Sequence, residues 1–360
     1  MSIKHLFLTA AALLLSTAGL MAQQVEQVTI GDNLNYGLTY SLPLTRIDFL
    51  VSAQVTRVEA GPFAPYAEKY LGLHDVPQAD ETRWEIRQIE MRAAGQPDSA
   101  RTYHIQFSEK GAMPTFYLSD SRCLLAINQQ PALPAAAPEP APAETPRLVL
   151  KPTDVMTSDI LKAGSKAKQA ELVADEIFSL RESRADLIRG EADNVPNDGQ
   201  QLQLMLDNLT AQEEALLSLF VGNTTVTTEQ RTFSIVPETE VSRQPLFRLS
   251  RQLGFVAPDD LAGAPYYVSV ALLEDNRMPP MDVKALKRLE HGIAHCVPGK
   301  ARLTLFTARE TLVTGDFPIA QFGHVEQLPQ AQFTDRKKTC SAEFVPSTGA
   351  LQLFLTSVAE

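Results

Sequence analysis

The stretch RIDFLVSAQV, residues 46–55, indicates the class of fold. Its odd-numbered positions are apolar from Ile47 onward, whereas Asp48 and Gln54 occupy even-numbered positions. Successive side chains of a strand point to opposite faces, so this alternation predicts a half-buried β-strand. The chain is therefore expected to build a core on a β-sheet.

Further strand-like segments follow, and they include RWEIRQIEMR, TYHIQF and FYLSDSRCLLAI. In the first of these, Trp84 and Ile86 lie in one phase of the alternation, whereas Ile89 and Met91 lie in the other. A β-bulge, or a strand covered on both faces, would explain this change. Residues 25–128 are therefore predicted to form an N-terminal β-rich domain with one short aromatic helix.

The aromatic helix is predicted from GPFAPYAEKYLG, residues 61–72. Phe63, Tyr66 and Tyr70 share one helix face, a proline suits the first turn, and Gly72 ends the helix. On one interpretation, this face covers an open sheet end or edge as part of the core. On the other, the three aromatic residues bind a sugar or a peptide, because tyrosine stacks on such ligands.

A linker and two helices are predicted next. The stretch PALPAAAPEPAPAETP is rich in proline and predicts an extended, solvated linker over residues 129–148. Ser165 is placed to cap a first helix and Gly222 to end a second. Residues 160–222 are therefore predicted to form a long αα-hairpin. Its apolar positions recur at helical spacing: Ala170, Val173, Ala174, Ile177, Leu180, Leu187, Ile188, Leu202, Met205, Leu206, Leu209, Leu216, Leu219 and Phe220.

The remainder, residues 223–360, returns to short strand-like runs separated by proline, glycine and asparagine. This pattern predicts a C-terminal antiparallel β domain, either a sandwich or an open barrel. The predicted fold class is thus α+β, with two antiparallel β-rich domains and an inserted long αα-hairpin.

The N-terminus has the pattern of an export signal. Lys4 precedes the apolar run LFLTAAALLLSTAGLMA, which ends in small residues. Residues 1–22 are therefore predicted to be a signal peptide cleaved after Ala22, and a short uncleaved transmembrane helix is the alternative. Later apolar runs are too short to span a bilayer, so we expect no integral membrane span. The predicted location is the periplasm or the outer-membrane surface.

The formal net charge of the chain is −11. An acidic chain repels phosphate backbones and anionic lipid headgroups, so binding to nucleic acid is not expected. No cofactor is predicted. The chain also lacks Gly-x-Ser-x-Gly, His-Glu-x-x-His and phosphate-loop motifs, so no residue is predicted to be catalytic.

A metal site is a weak alternative at HGIAHC, where His291 and His295 are four residues apart. On a helix, this spacing can place two histidines on one metal. Gly292 interrupts such a helix, and the segment reads instead as a strand that enters a turn at Pro298. In a strand, residues four apart are separated by about 13 Å, too far for one zinc ion. Another histidine, His104, is expected at the surface.

Three cysteines allow at most one intrachain disulfide. Cys296 and Cys340 both fall in strand-like segments and are the one pair considered. Buried free thiols are an equally good interpretation, because a free cysteine packs as a small apolar residue.

Four segments carry a family resemblance: GPFAPYAEKYLG, KQAELVADEIFSLRESRADLIRGEADNVPNDG, PIAQFGHVEQLP and VPSTGALQ. They resemble a family of exported proteins from Bacteroides-type bacteria that is known as a domain of unknown function, the DUF4831 type. The resemblance implies a diderm host and export to the periplasm or outer membrane. It implies no catalytic residues. The proline-rich linker and the histidines of HGIAHC lie outside the family pattern.

These observations predict a non-enzymatic binding or scaffold protein of the cell envelope. An envelope protein is the expected partner, bound through the αα-hairpin if its apolar stripe exceeds what mutual packing needs. Two alternatives stay open: a glycan- or peptide-directed hydrolase with a dispersed active site, and a carbohydrate- or peptide-binding module that uses Phe63, Tyr66 and Tyr70.

Overall fold

The computed structural model describes residues 25–27, 37–107, 113–131, 149–193, 196, 198–278, 292–335 and 338–358. The strands are β1 (Val25–Gln27), β2 (Gly37–Glu59), β3 (Glu81–Gln106), β4 (Phe116–Leu118), β5 (Leu124–Ile127), β6 (Asn223–Ile235), β7 (Val241–Ser250), β8 (Gly254–Val256), β9 (Ala264–Glu274), β10 (Gly292–Phe306), β11 (Thr311–Pro329), β12 (Lys338–Phe344) and β13 (Leu351–Val358). The α-helices are α1 (Ala67–Leu71), α2 (Pro152–Val155), α3 (Ser158–Lys162), α4 (Lys166–Arg189), α5 (Gly199–Val221) and α6 (Ala331–Thr334). The predicted signal peptide, and most of the predicted linker, lie outside the described residues.

The strands form three antiparallel sheets. Sheet A has the order β1-β3-β2-β6, sheet B the order β11-β10-β9-β7-β8, and sheet C the order β13-β12-β5-β4. The stretch at residues 46–55 lies in β2, which pairs with β3 on one side and with β6 on the other. The prediction of an α+β, β-rich fold is confirmed.

The predicted division into two β-rich domains, residues 25–128 and 223–360, is not confirmed. In sheet A, β2 pairs with β6, and in sheet C, β5 pairs with β12, so two sheets combine strands from both ranges. The alternation within a strand shows which face is buried but does not specify its neighbour, because hydrogen bonds between strands join backbone groups that every residue has.

Two apolar clusters share the longest strands. In the first, sheets A and B face each other, with Phe49 and Val51 of β2 fully buried against strands such as β10, which contributes Leu303. In the second, the other ends of these strands pack on sheet C, and the hydroxyl of Tyr40 in β2 donates to the carbonyl of Ala294 in β10 at 3.1 Å. Both clusters include residues of β2, β3 and β10. The three sheets are therefore joined into one continuous structure.

Prolines lie inside these long strands where the pairing is irregular. Pro43 of β2 is opposite Pro97 of β3, next to a register shift. The sequence predicts a turn at Pro298, and this prediction is wrong: β10 continues through it with a register shift between Val297 and Gly299. A proline has no N–H to donate. Where the pairing of two strands is irregular, no hydrogen bond from that position is needed, so a proline is tolerated there.

The change of phase in β3 has the predicted explanation. Ser52 of β2 is opposite Gln88, and Ala53 is opposite Ile86, so β3 has one extra residue at Arg87. This β-bulge moves the side chains that follow it to the other phase of the alternation.

A glutamine side chain joins sheet A to sheet B. The backbone N–H of Thr45 in β2 donates to Oε1 of Gln321 in β11 at 3.0 Å, and Nε2 of Gln321 donates to the carbonyl of Thr45 at 2.8 Å. The Thr45 hydroxyl donates to the carbonyl of Ser347 at 3.0 Å and accepts from the N–H of Ala320 at 2.9 Å. Thr45 is fully buried, so these bonds satisfy polar groups that water does not reach.

The third apolar cluster belongs to the helices. It is formed mainly by α4 and α5, which we call the helix pair, and α1 and α3 pack against them. The side-chain oxygen of Ser165 accepts the N–H of Lys168 at 3.2 Å at the start of α4, as predicted. At the same end of the pair, away from residues 190–198, α5 stops at Gly222, and β6 begins with the next residue.

None of the described helices is both long and apolar enough to cross a membrane. All three cysteines, Cys123, Cys296 and Cys340, are buried free thiols, so the disulfide considered for the last two is not formed. Burial raises the pKa of the Cys123 and Cys296 thiols, which keeps them protonated at neutral pH.

Candidate functional site

The aromatic segment at residues 61–72 folds as a single 3-10 turn, Ala64–Tyr66, followed by α1. Gly72 ends α1 in the left-handed conformation at φ 66°, as the sequence predicts. On the packed side, Phe63 and Ala67 are buried.

The predicted place of this segment, over a sheet end or edge, is wrong, because its aromatic face packs on the helix pair. The Phe63 ring lies 5.6 Å from the Phe220 ring of α5, measured between centroids. The N–H of Phe63 donates at 2.8 Å to the carbonyl of Leu219, one of the last-turn carbonyls that have no partner within their own helix. The segment thus supplies a hydrogen-bond donor to a carbonyl group at the C-terminal end of α5.

Tyr66 and Tyr70 occupy the outer part of the same face and are only half-buried. Their ring centroids lie 6.2 Å apart at an interplanar angle of 35°. The ammonium of Lys69 lies 4.7 Å from the centroid of the Tyr70 ring and donates to the Tyr70 hydroxyl at 3.3 Å. The three aromatic residues therefore divide into one core residue and a partly open tyrosine pair. Ligand binding by them stays a prediction.

The histidines of HGIAHC divide likewise. His291 lies outside the described residues. His295 is buried in β10, where Nδ1 donates to the carbonyl of Glu326 at 3.0 Å and the ring meets Phe344 edge to face. Burial lowers the pKa of His295, so its ring is neutral at neutral pH. Within the described ranges, no three His, Cys, Asp or Glu residues are grouped so that they could hold a metal ion.

The prediction that His104 lies at the surface is wrong. Its side chain is buried on β3, which lies between β1 and β2 in sheet A, and Nδ1 lies 2.9 Å from the hydroxyl of Thr39. The alternation places His104 on the side opposite Tyr103, but it does not show whether that side is exposed.

An ion pair network holds the middle of the helix pair together. Nε of Arg181 and Nη1 of Arg184, both on α4, donate to the two carboxylate oxygens of Glu213 on α5, each at 2.6 Å. Glu213 is buried, while both arginines are half-buried. Two cations on one carboxylate compensate the cost of taking that charge out of water.

A groove of about 520 Å³ lies beyond this network, at the end where residues 190–198 connect α4 to α5. Its apolar lining comes from Leu187, Ala192, Met205 and Leu209, and its polar lining from Ser183, Asp186, Asp193 and Asn208. A cavity of this size holds several side chains of a bound segment.

The polar groups of the groove mainly offer acceptors. Ser183 donates its hydroxyl to the carbonyl of Ser179, and Asn208 donates its amide to the carbonyl of Leu204. The Ser183 hydroxyl hydrogen and one of the two amide hydrogens of Asn208 are thus used within their own helices. The carboxylates of Asp186 and Asp193 lie at the rim, where Asp186 also forms an ion pair with Arg189 at 3.6 Å.

Apolar side chains remain exposed in the groove at Met205 and next to its lining residues at Ile188 and Leu204. Ile188 is 68% exposed, Leu204 62% and Met205 38%. The sequence assigns Ile188 and Met205 to the packing stripe and leaves Leu204 out of it. Helical spacing alone does not show where the packing between α4 and α5 ends. The turns next to residues 190–198 carry more apolar residues than one packed face needs, and this is the feature of the sequence that indicates a second apolar face.

Comparison with protein families gives one match. The model of a family described as Domain of unknown function (DUF4831) matches residues 36–352. The chain belongs to the DUF4831 family. In the DUF4831 chain the matched range covers the helix pair and strands β2 to β12, and it extends into β13. A search of curated proteins found no match, and a search of solved structures found none.

Proposed function

We propose that this DUF4831 chain is an exported binding or scaffold protein of the cell envelope, and that it docks a partner protein at the groove of the helix pair. In this proposal, α4 and α5 act as the long αα-hairpin that the sequence predicts, and the β layers hold it in place.

One observation carries the proposal: the connected end of the helix pair retains apolar surface that its own packing does not use. Leu187 is buried there, yet Met205 is exposed in the lining of a concave groove, and Ile188 and Leu204, each next in sequence to a lining residue, are exposed as well. Clustered exposed apolar side chains beside a cavity are typical of protein-binding sites, whereas single ones are ordinary.

The chemistry of the groove defines the partner. Apolar floor residues favour leucine-like side chains, and the rim carboxylates of Asp186 and Asp193 favour lysine or arginine. An amphipathic helix with one apolar face and basic residues beside it matches both requirements. The partner is therefore proposed to be an envelope protein that presents such a helix.

Export is supported by the pattern at residues 1–22 and is tested directly. In a diderm host, the purified chain is expected to begin at Gln23, as measured by N-terminal sequencing or intact mass. A chain that keeps its first residues, or one that fractionates with the cytoplasm, contradicts this part of the proposal.

Docking is tested by site-specific photo-crosslinking in intact cells. A photoreactive residue at position 204 is expected to give one discrete product, and charge reversal by Asp186→Lys is expected to reduce it. The matched control is position 261, where Leu261 is 85% exposed but lies away from the groove. Peptide mapping should place the crosslink on a basic amphipathic helix. Equal products from positions 204 and 261, or a crosslink to a segment without basic residues, contradict the proposal.

A second candidate function has its own observation, the partly open pair of Tyr66 and Tyr70. Two aromatic rings beside an ammonium group can stack on a sugar and hydrogen-bond to it. Replacing both tyrosines with alanine separates the interpretations. Loss of binding on a glycan array with an unchanged melting temperature supports a carbohydrate site. A large fall in melting temperature supports a packing role.

A further inference from the structure

Strand β6 is an exposed edge of sheet A. It pairs with β2 along its whole length, from Ile235 opposite Ile47 to Asn223 opposite Glu59. Within the ranges that the structure describes, no strand pairs with its other side. Most of its side chains are exposed. A free edge of this length presents a row of unpaired backbone N–H and C=O groups to any strand that fits.

The sequence of β6, NTTVTTEQRTFSI, suits further pairing. Most of its residues are β-branched or aromatic, which favours strands. It contains no proline and no lysine, and its register with β2 has no shift. Proline, lysine and bulges are the devices that commonly protect a free edge, so β6 lacks three of them.

The charges on β6 are Glu229 and Arg231, two residues apart on the same face. They lie opposite Ala53 and Val51 of β2, and they form an ion pair at 3.0 Å. Their side chains are 39% and 50% exposed, and the Arg231 guanidinium lies 5.0 Å from the centroid of the Phe255 ring. Charges at an edge repel most incoming strands, and they select a strand that supplies the complementary charges.

A second copy of β6 supplies them in one antiparallel register. When Gln230 lies opposite Gln230 of the partner copy, Glu229 of each chain lies opposite Arg231 of the other. The four charges then alternate in sign. On the same face, Phe233 lies opposite Thr227 of the other copy, an aromatic and β-branched pair that also favours pairing.

Neighbouring registers are disfavoured by the same charges. The register between the two copies of β6 can shift only by two residues if the same faces of both strands are to lie on one side of the sheet. A shift by one residue would turn the side chains to the opposite side. A shift in one direction places Glu229 opposite Glu229, and the opposite shift places Arg231 opposite Arg231. Like charges directly across a strand pair are destabilising, so the register centred on Gln230 is selected.

We infer that β6 is a dimerisation edge, at which two copies of this chain pair antiparallel around Gln230 and join their A sheets into one continuous sheet. This surface is separate from the groove of the helix pair, so the inference does not depend on the proposed function.

The test exchanges the two charges and measures the oligomeric state of the exported chain by sedimentation. Glu229→Arg and Arg231→Glu each place like charges across both symmetry-related pairs, and each is expected to raise the dimer dissociation constant about tenfold or more. The double variant E229R/R231E restores opposite charges and is expected to dimerise like the wild type.

Mixing the two single variants gives the decisive result. In the mixture, two arginines on one copy face two glutamates on the other, so a heterodimer is expected where neither variant dimerises alone. A folding defect cannot produce this outcome. The matched control is Glu90→Arg, which breaks a similar pair with Arg92 at 2.7 Å on β3, away from β6, and is expected to leave dimerisation unchanged.

The register is tested by a disulfide. Gln230→Cys places one thiol opposite its own copy, where the Cα atoms of paired strands are close enough for a bond under mild oxidation. Thr224→Cys on the same strand is the control, because the proposed register separates its two copies by roughly 40 Å. A monomeric wild type, no heterodimer in the mixture, or equal crosslinking at both positions overturns the inference.

Discussion

The Phe63 ring packs on the Phe220 ring with 5.6 Å between centroids, which joins the aromatic segment to the last turn of α5. These residues are 157 positions apart (220 minus 63) in the sequence. The contact therefore closes a long loop, and the helix pair is positioned by residues from the first part of the chain.

Removal of the Phe63 ring is expected to destabilise the protein strongly. Phe63→Ala leaves a cavity against Phe220 in a cluster of buried side chains, and such truncations cost about 3–5 kcal/mol. Urea unfolding followed by circular dichroism measures the change. Lys69→Ala, an exposed position on α1, is the control and is expected to change stability by about 0.5 kcal/mol or less. Equal losses of stability in Phe63→Ala and Lys69→Ala would contradict the assignment of Phe63 to the core.

Neutralising Glu213 is expected to loosen the helix pair. Glu213→Gln keeps the shape of the side chain but leaves Arg181 and Arg184 without their carboxylate, at a cost of about 2 kcal/mol because both arginines are partly solvated. Chemical denaturation measures this loss. The exposed Glu182→Gln is the matched control, and a stability no lower than that of the control would show that the buried charge is dispensable.

Truncating Gln321 is expected to weaken the contact between β2 and β11. Gln321→Ala leaves the buried N–H and carbonyl of Thr45 without their partners, which costs about 2–3 kcal/mol for two unsatisfied groups. Hydrogen exchange at the Thr45 amide should become faster, and the thermal midpoint should fall. Gln352→Ala, at an exposed position of β13, is the control. An unchanged exchange rate at Thr45 would contradict the assigned role of the amide.

The stability of the protein is expected to fall as the pH drops below about 6.5, the ordinary pKa of histidine. Burial lowers the pKa of His295 in the folded chain, so the unfolded chain binds a proton first and acidification favours unfolding. His295→Gln removes this group and should flatten the dependence of the unfolding free energy on pH in that window. His74→Gln, whose side chain is 70% exposed, should not. Parallel profiles for wild type and His295→Gln would contradict this assignment.

All three cysteines are expected to react only after unfolding. Their thiols are buried, and the raised pKa of Cys123 and Cys296 reduces the thiolate that a reagent needs. Thiol titration with Ellman's reagent should therefore detect little in the native protein and all three groups in denaturant. Reductant should not increase the denatured count. An increase would show a disulfide.

Local features of the fold were predictable from the sequence because they depend on a few neighbouring residues. Ser165 caps α4, Gly72 ends α1, and the phase change between Ile86 and Ile89 marks a bulge. Each of these follows from backbone geometry within one turn or one strand. The half-buried face of β2 belongs to the same class.

Features that depend on distant neighbours were not predictable in the same way. Prolines such as Pro298 were interpreted as strand ends because the sequence does not show that a neighbouring strand carries the irregularity. The alternation predicts His104 at the surface because it lies on the polar side of β3, and the burial of that side depends on residues far away in the sequence. For the candidate site, the helical stripe was visible in the sequence, but the exposure of Ile188 depends on how far α5 accompanies α4.

The junction between α5 and β6 has a mechanical consequence. Only Gly222 separates the helix from the strand, and its φ of 74° is accessible to glycine. A side chain at this position would collide with the carbonyl oxygen of Glu59, so the backbone here is packed tightly against the end of β2. The junction thus has little freedom to bend. A force applied to the helix pair near residues 190–198 is transmitted along α5 as torque on β6. The helix pair thus acts as a rigid arm attached to the edge strand of sheet A.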